Sequence, residues 1–336
     1  MFPLLQRHVI GRLPTWWAND LSHRLDHLYD WWVARGVAAL RPDLVVCYEN
    51  AAMRTFVAAK RVGAICVLDA ASVHYTTQRK QLAALGRANP NWVDDQKRRE
   101  IDLADAILTC SDLAASSYIA AGVSAAKVAA VPLGADLYTG ELPKRAASAL
   151  VRFVFVGALR AVKGIDLLLD IFEQFQKDSV PAHLTLIGGV AEGDLATRAR
   201  RLANVTLKSF IAHPAIFKEM AMHDVLLLPS RFDSFGMVVP ESMSVGVPAL
   251  VTDQVGAKCI IQQHPDAGWI VPCEREAFRE KILDLIAHRD QLHVASAAAR
   301  RAARDYQWSS YRQRVVATLE HVYRARFNLP TGCLHS

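Results

Sequence analysis

The chain has 336 residues, of which 52% are hydrophobic and 21% are charged. This balance provides enough apolar side chains for more than one core and excludes an intrinsically disordered chain. The formal net charge of +6 suits an anionic ligand, a nucleic acid or an anionic membrane surface, and charge alone does not choose among them. The six cysteines are widely spaced and predict neither a disulfide framework nor a zinc site.

The first forty residues are unusual because they contain four tryptophans before any predicted strand. Residues 13–39 predict one or two helices that carry Trp16, Trp17, Trp31 and Trp32. Such helices either lie on a membrane surface, where tryptophan and arginine are favoured, or cap the core of the first domain. The first residues lack the apolar segment of a secretory signal, and no run of 18 apolar residues is present. We therefore expect a soluble, cytoplasmic protein, with peripheral membrane contact as an open possibility.

Short apolar runs rich in Val, Ile and Leu alternate with longer helical patterns along most of the chain. This alternation is typical of parallel strands joined by crossover helices, so the predicted fold class is α/β. The predicted strands of the first half are residues 43–47, 64–68, 106–109 and 127–131. Those of the second half are residues 152–156, 183–187, 205–207, 225–228 and 249–251. After residue 270 the pattern is helical to about residue 326.

A polar stretch at residues 140–146, which includes Gly140 and Pro143, has the composition of a linker. We place the domain boundary near residue 145. Residues 1–145 would form a first α/β domain, and residues 146–336 a second one with C-terminal helices from about residue 274. No internal repeat is apparent.

The run VRFVFVGALRAVKGIDLLLDIF, at residues 151–172, predicts a strand, a loop and an amphipathic helix. The loop holds Gly157, Arg160, Lys163 and Gly164. Backbone N–H groups and the dipole at a helix start favour an anion, and Lys163 adds a full positive charge. A Gly-Lys pair is also common in ordinary loops, so the segment is either a phosphate site or an unspecialised loop.

A second polar loop, PSRFDSFGMVVPE, follows the predicted strand at residues 225–228. Asp233 precedes a predicted helix and Glu241 lies in its first turns. Two carboxylates so placed can accept hydrogen bonds from hydroxyls of an elongated polar ligand, although Asp233 could also be a loop residue and Glu241 a surface residue. Both loops follow predicted parallel strands at their carboxyl ends, where α/β sheets bind ligands, and this favours the binding interpretation.

These segments resemble the retaining GT-B glycosyltransferases, in particular glycosyltransferase family 4 (glycosyl transferases group 1), over roughly residues 41–323. The E-x7-E motif of that family is present as Asp233 to Glu241, with Asp in place of the first Glu. GALRAVKG is similar to the family's loop of glycine, arginine and lysine-glycine, and VPLGAD, at residues 131–136, resembles its interdomain segment. The resemblance implies a GT-B architecture, in which two Rossmann-like domains face each other across a cleft.

The resemblance also implies roles for the matched positions. Lys163, Asp233 and His74 would be the catalytic residues, with His74 similar to a family histidine that touches the donor sugar. The implied donor-diphosphate site comprises Gly157, Arg160, Lys163 and Gly164. The implied donor-sugar site comprises Asp233, Ser234, Phe235, Gly236 and Met237. Glu241 would bind the ribose, and Ser209, Phe210 and Ile211 would bind the base.

Two departures from the family pattern stand out. Ala158 occupies the position where many members have a diphosphate-binding arginine, which Arg160 would replace. Nothing before residue 41 resembles the strand and glycine-rich loop that usually open the first domain. We therefore expect either that this domain is reduced or that the true start lies upstream of Met1.

The implied activity is retaining transfer of a hexose-type sugar from a nucleotide diphosphate sugar to a glycan or lipid-linked acceptor, in cell-surface polysaccharide biosynthesis. No Asp-x-Asp motif of the metal-binding kind is present, so we expect neither a metal ion nor another cofactor, and no nucleic-acid partner. Two alternatives stay open: a non-catalytic protein that binds a nucleotide sugar or a partner, and a nucleotide-sugar 2-epimerase.

Overall fold

The computed structural model describes residues 15–84, 89–143, 148–189 and 193–328. The chain divides into two compact units. The first comprises residues 1–109, 114–130 and 315–336, and the second comprises residues 110–113 and 131–314. This division comes earlier than the expected boundary near residue 145, and it assigns the end of the C-terminal helix to the first unit. Part of the expected linker, residues 144–146, lies outside the described ranges.

The first unit is built on a parallel four-stranded sheet in the order β1-β2-β3-β4. Its strands are β1 (Leu44–Tyr48), β2 (Ile65–Ala70), β3 (Ala106–Thr109) and β4 (Val128–Ala130). Its helices are α1 (Thr15–Leu40), α2 (Met53–Arg61), α3 (Tyr75–Ala84), α4 (Asn91–Leu103) and α5 (Asp112–Ala120), whose first residues belong to the second unit. All four strands predicted for the first half are confirmed.

Helix α1 packs on the first unit through a buried carboxylate and leaves an aromatic face exposed. Asp30 accepts hydrogen bonds from the backbone N–H groups of Arg54 at 2.7 Å and Thr55 at 2.9 Å, and so satisfies free donors in the first turn of α2. Trp31 and Trp32 are 44% and 66% exposed, so these two do not cap a core. The side chains of Trp16 and Trp17 lie outside the described residues.

The second unit contains a parallel six-stranded sheet in the order β10-β9-β8-β5-β6-β7. Its strands are β5 (Val151–Val156), β6 (Ala182–Ile187), β7 (Val205–Lys208), β8 (Val225–Leu228), β9 (Ala249–Thr252) and β10 (Gly268–Val271). The five strands predicted for the second half are confirmed, whereas β10 was missed. It is an edge strand with mostly half-buried residues, so its sequence lacks a continuous apolar run.

Helices of the second unit cover this sheet. They are α6 (Ile165–Lys177), α7 (Leu195–Arg201), α8 (Ala215–Met220), α9 (Val238–Ser244), α10 (Lys258–Gln263), α11 (Arg275–Ala287) and α12 (Asp290–Ala303), followed by α13 (Trp308–Phe327), which ends in the first unit. In α6, Ile165, Leu168, Phe172 and Phe175 are fully buried. Their spacing of three or four residues places them on one helical face, which packs against the sheet. Among the described helices, none combines the length and apolarity needed to cross a membrane.

Candidate functional site

The strand order of the second unit creates a topological switch point between β5 and β8. The chain runs from β5 to β6 and β7 on one side, and then returns to β8, β9 and β10 on the other. The pairing of Phe153 with Val225 makes β5 and β8 direct neighbours. Connections leave these two strands in opposite directions, which opens the crevice where α/β sheets bind ligands. Both polar loops noted in the sequence begin at this crevice.

Lys163 and Asp233 meet at the switch point. Lys163 ends the short 3-10 turn Ala161–Lys163, and Asp233 lies in the loop after β8. The Lys163 Nζ donates to Asp233 Oδ2 at 2.6 Å, although the residues are 70 positions apart. Their side chains are 27% and 16% exposed. The structure therefore brings together two of the three residues expected to be catalytic, in a place that solvent still reaches.

Gly164 allows the two loops to approach each other closely. Its backbone is left-handed, with φ of 74° and ψ of 23°, a conformation that strongly favours glycine. A Cβ atom at this position would lie 2.1 Å from the carbonyl oxygen of Pro229. Beside it, the Arg231 N–H donates to the Val162 carbonyl at 2.9 Å. Gly164 thus serves the packing of the loops against each other.

Arg231 and Asp166 form a second link at this site, which no sequence pattern indicates. The Arg231 guanidinium donates to both carboxylate oxygens of Asp166, each at 2.7 Å. Burial alone would raise the pKa of Asp166, but the hydrogen bonds and charge of Arg231 lower it below its ordinary value. This bidentate pair ties the first turn of α6 to the loop after β8 and so helps to position Lys163 opposite Asp233. No local motif marks this pair, because Asp166 lies in a helix and Arg231 lies in a loop 65 positions further along the chain.

The remaining glycine and arginine of the first loop are also in defined positions. The Gly157 N–H donates to the Ile187 carbonyl at 2.9 Å, and a Cβ atom on Gly188 would lie 1.8 Å from the Gly157 oxygen. The carbonyl of Arg160 accepts the N–H of Lys163 at 2.9 Å. The backbone of the loop is therefore held closely between the ends of β5 and β6.

In the expected sugar-binding segment, backbone carbonyls are already engaged in hydrogen bonds. The Ser234 carbonyl accepts the Ser111 hydroxyl at 2.6 Å, and the Phe235 carbonyl accepts the Ala257 N–H at 2.6 Å. The Phe235 side chain is buried, and Gly236 has a φ of 93°. These hydrogen bonds fix the backbone of the segment at two carbonyls, and the segment ends at Met237, which is the N-cap of α9. Asp233 is therefore a loop residue and does not cap this helix.

Glu241 lies in α9 with its side chain only 17% exposed, so it is not an ordinary surface residue. Burial raises the pKa of Glu241 above its ordinary value; the neighbouring His213 opposes this shift and Asp136 reinforces it. Asp136 ends the VPLGAD segment. Glu241 and Asp136, two carboxylates from motifs noted in the sequence, therefore influence each other in the structure. His213 also acts on Glu241, although no sequence motif indicates it.

The expected base-binding residues follow β7 directly. Ser209 lines a cavity of about 550 Å³ together with Leu159 and Gly188, which follow β5 and β6. Phe210 is 73% exposed. Phe210 is the next residue after the cavity-lining Ser209, and an exposed aromatic ring offers a surface on which a flat base can stack.

His74 belongs to the first unit, where it immediately precedes α3. Its Nδ1 lies 2.8 Å from the Thr76 hydroxyl and accepts the Thr76 N–H at 3.3 Å. Burial, together with the charge of Lys97, lowers the pKa of His74. An Nδ1 atom that accepts a backbone N–H leaves the ring proton on Nε2, so His74 is neutral and can donate from that atom.

Residues 151–288 match the family model described as glycosyl transferases group 1. The chain is 28% identical over 191 residues to D-inositol 3-phosphate glycosyltransferase of Jonesia denitrificans, covering 53% of this chain and 45% of that protein. It is 28% identical over 209 residues to GDP-mannose-dependent alpha-(1-6)-phosphatidylinositol dimannoside mannosyltransferase of Mycobacterium tuberculosis, covering 59% and 53%. The aligned region spans about half the length of these relatives.

Solved structures show the fold. Anabaena Alr3699/HepE in complex with UDP superposes with a TM-score of 0.68 at 19% identity, covering 86% of this chain and 82% of that one. The lipopolysaccharide outer core galactosyltransferase WaaB superposes with a TM-score of 0.65 at 18% identity, covering 90% and 82%. The expected fold class is confirmed: the chain has the α/β GT-B fold, with two parallel sheets.

Proposed function

We propose that this protein is a retaining glycosyltransferase that moves a hexose-type sugar from a nucleotide diphosphate sugar to a glycan or lipid-linked acceptor in cell-surface polysaccharide biosynthesis. The observation that carries the proposal is the meeting of Lys163 and Asp233 at the switch point of the second sheet. The family match over residues 151–288 supports the same assignment. The named use of GDP-mannose by one relative and the UDP complex of one structural neighbour favour a nucleotide-linked donor.

In this proposal, Lys163 and Arg160 bind the donor diphosphate, and Gly157 and Gly164 keep the loop backbone close to it. A diphosphate at the switch point would compete with Asp233 for the Lys163 ammonium group. Its arrival would therefore release the Asp233 carboxylate to accept hydrogen bonds from hydroxyls of the donor sugar. The ion pair seen between the loops would thus be exchanged for two ligand contacts.

The transfer step forms a bond between the acceptor oxygen and the anomeric carbon and breaks the bond from that carbon to the diphosphate oxygen. Both oxygens lie on the same face of the sugar, and the departing phosphate takes the acceptor proton. Negative charge grows on the diphosphate as the bond breaks, so a cation at this point stabilises the transition state more than the ground state. Lys163 and Arg160 supply that charge, and the proposal needs no metal ion.

Within the second unit, Glu241 would accept hydrogen bonds from the ribose, and residues 209–211 would contact the base. Ser234, Phe235, Gly236 and Met237 would meet the sugar mainly through backbone N–H groups, because the carbonyls of Ser234 and Phe235 are engaged. In the first unit, His74 would offer its Nε2 proton to a sugar hydroxyl.

Calorimetric binding of UDP, GDP and ADP, with and without a chelator, tests this proposal. We expect one of them to bind at micromolar affinity, to bind equally with the chelator, and to bind at least about tenfold more weakly to Glu241→Ala. No binding of any of the three would refute the donor site. Tight binding without transfer or donor hydrolysis would instead indicate a non-catalytic nucleotide-sugar-binding protein.

We also propose that the protein is cytoplasmic and contacts the inner face of the membrane through helix α1. Arg24, Leu28, Trp31 and Arg35 recur at three- or four-residue spacing along one face of that helix, and all are exposed. The Arg35 guanidinium lies 4.4 Å from the centre of the Trp31 ring. Aromatic side chains between arginines suit the interface of an anionic bilayer.

Sedimentation with vesicles of phosphatidylglycerol and phosphatidylcholine tests the membrane contact. The variant Trp31→Ala/Trp32→Ala should lose most of the binding, whereas Val294→Ala, which alters an exposed apolar residue of the second unit, should not. Equal sedimentation of all three proteins would contradict the contact.

A further inference from the structure

We propose that His213 is a second ribose-binding residue, which shares one hydroxyl of the nucleotide with Glu241. The inference rests on the proposed function, because it assumes that the second unit binds a nucleoside diphosphate. It adds a hydroxyl-discriminating side chain to that site.

The distance between the two side chains suits a bridging hydroxyl. His213 Nε2 lies 3.9 Å from Glu241 Oε1, which is too far for a direct hydrogen bond. A hydroxyl oxygen about 2.8 Å from both atoms would see them at an angle of about 90°, so one group can bridge the gap. That hydroxyl would donate its proton to Oε1 and accept the proton of Nε2. The second carboxylate oxygen would then accept the neighbouring hydroxyl of the same ribose.

The His213 ring is supported by aromatic side chains. Its centre lies 5.1 Å from that of Phe217, at an interplanar angle of 74°. Phe217 is buried and stacks on Tyr138 at 5.6 Å. The His213 side chain is itself 53% exposed. Phe217 therefore packs against the ring, and a ligand can still reach it. Support of this kind reduces the rotamer freedom that a binding residue would otherwise lose.

The chain position of His213 agrees with this role. It follows residues 209–211, which we assign to the base, by two positions, and Glu241 is the assigned ribose carboxylate. The Glu241 carboxylate only accepts hydrogen bonds, and its side chain is mostly buried. A ribose hydroxyl that contacted Glu241 alone would therefore have no protein donor for its own oxygen. His213 lies beside Glu241 and can supply this donor. Burial raises the pKa of Glu241, and His213 opposes that shift and so favours the ionised carboxylate.

The test compares ribonucleotides with their deoxy analogues by calorimetry. Whichever of UDP, GDP or ADP binds the wild type is measured again as its 2′-deoxy and 3′-deoxy forms. We expect His213→Ala to weaken ribonucleotide binding about tenfold, the value of one lost hydrogen bond of this kind. One deoxy form should bind the variant and the wild type almost equally, because that form lacks the shared hydroxyl. Inorganic pyrophosphate should bind both proteins equally.

His213→Gln provides the matched variant, since its amide can still donate, and it should recover part of the affinity. A His213→Ala protein that binds the ribonucleotide as tightly as the wild type would overturn the inference, as would an equal loss for ribo and both deoxy forms. In either case weak binding by Glu241→Ala would leave the proposed function standing. If no diphosphate binds the wild type, the proposed function fails and the inference fails with it.

Discussion

Each unit holds a lysine–carboxylate pair near the carboxyl ends of its strands, and the two pairs differ in burial. In the first unit Lys97 Nζ lies 3.2 Å from Glu49 Oε2, and the two side chains are only 7% and 8% exposed. Lys97 also donates to Gln78 at 3.1 Å. In the second unit Lys163 and Asp233 are 2.6 Å apart at 27% and 16% exposure. The first pair is closed off by protein, whereas solvent or a ligand can reach the second.

An ammonium group and a carboxylate can therefore serve either structure or chemistry, depending on whether protein atoms separate them from water. A buried pair whose partners are all protein atoms cannot exchange them without leaving a charge unpaired. In a partly exposed pair, such as Lys163 and Asp233, the lysine can exchange its carboxylate partner for a ligand phosphate. The contrast predicts that removing the buried lysine affects stability, and that removing the exposed one affects activity.

The largest effect is expected for Lys97→Ala. It leaves the Glu49 carboxylate buried without its cation, so the free energy of unfolding should fall by about 3–5 kcal/mol. Urea unfolding followed by circular dichroism measures this loss. The control Lys60→Ala removes a pair whose side chains are both 38% exposed and should cost about 1 kcal/mol or less. A loss below that of the control would contradict the structural role.

Lys163→Ala should act on turnover instead. Losing the cation that stabilises the leaving diphosphate should lower kcat by about 10²-fold or more, while circular dichroism shows an intact fold. Lys177→Ala is the matched control, because Lys177 lies at the end of the following helix and its side chain is 70% exposed. Near-normal turnover of the Lys163 variant would refute its role in the proposed mechanism.

Gly164→Ala tests how the loops hold the exposed pair in place. The left-handed backbone and the close Pro229 oxygen should together cost about 2–3 kcal/mol of stability and weaken nucleotide binding. Gly193→Ala separates the two causes, since Gly193 has a φ of 58° but nothing within 4 Å of an added Cβ atom. That variant should lose only about 1 kcal/mol in thermal unfolding. Equal losses would mean that the contact between the loops contributes nothing.

The smallest expected effect is a pH dependence from His223, a buried histidine of the second unit. Its Nδ1 donates to the Glu219 carbonyl and its Nε2 accepts from Thr185, both at 2.9 Å, so the ring is neutral. Burial lowers the pKa of His223 below its ordinary value of 6.5. At a pH between the lowered pKa of His223 in the folded protein and 6.5, the unfolded chain binds more protons than the folded one. Stability therefore falls as pH drops below 6.5.

Unfolding calorimetry from about pH 7.5 to about pH 5 measures this dependence. His223→Gln should be less stable throughout but should show a shallower loss on acidification than the wild type. Parallel curves for the two proteins would show that His223 does not contribute. The same sign is expected for His74, whose pKa is also lowered by burial.

The strands and the two loops could be predicted because their information is local. A short run rich in Val and Phe such as VRFVFV predicts a buried strand, and a lysine-glycine turn before an amphipathic run predicts a loop and a helix start. The edge strand β10 was missed for the same reason: a half-buried strand of four residues, GWIV, leaves too weak a local pattern. The direction and burial of individual side chains were not predictable in this way.

Local sequence patterns therefore specify the α/β class, nine of the ten described strands and the residues of both polar loops. The tertiary fold places β5 beside β8, and this pairing brings Lys163 to Asp233 across 70 positions. It also decided that Trp31 is exposed, that Lys97 is buried and that His213 faces Glu241. The physical reason is that secondary structure follows from neighbours along the chain, whereas a site depends on which strands pair and which side chains then lose contact with water.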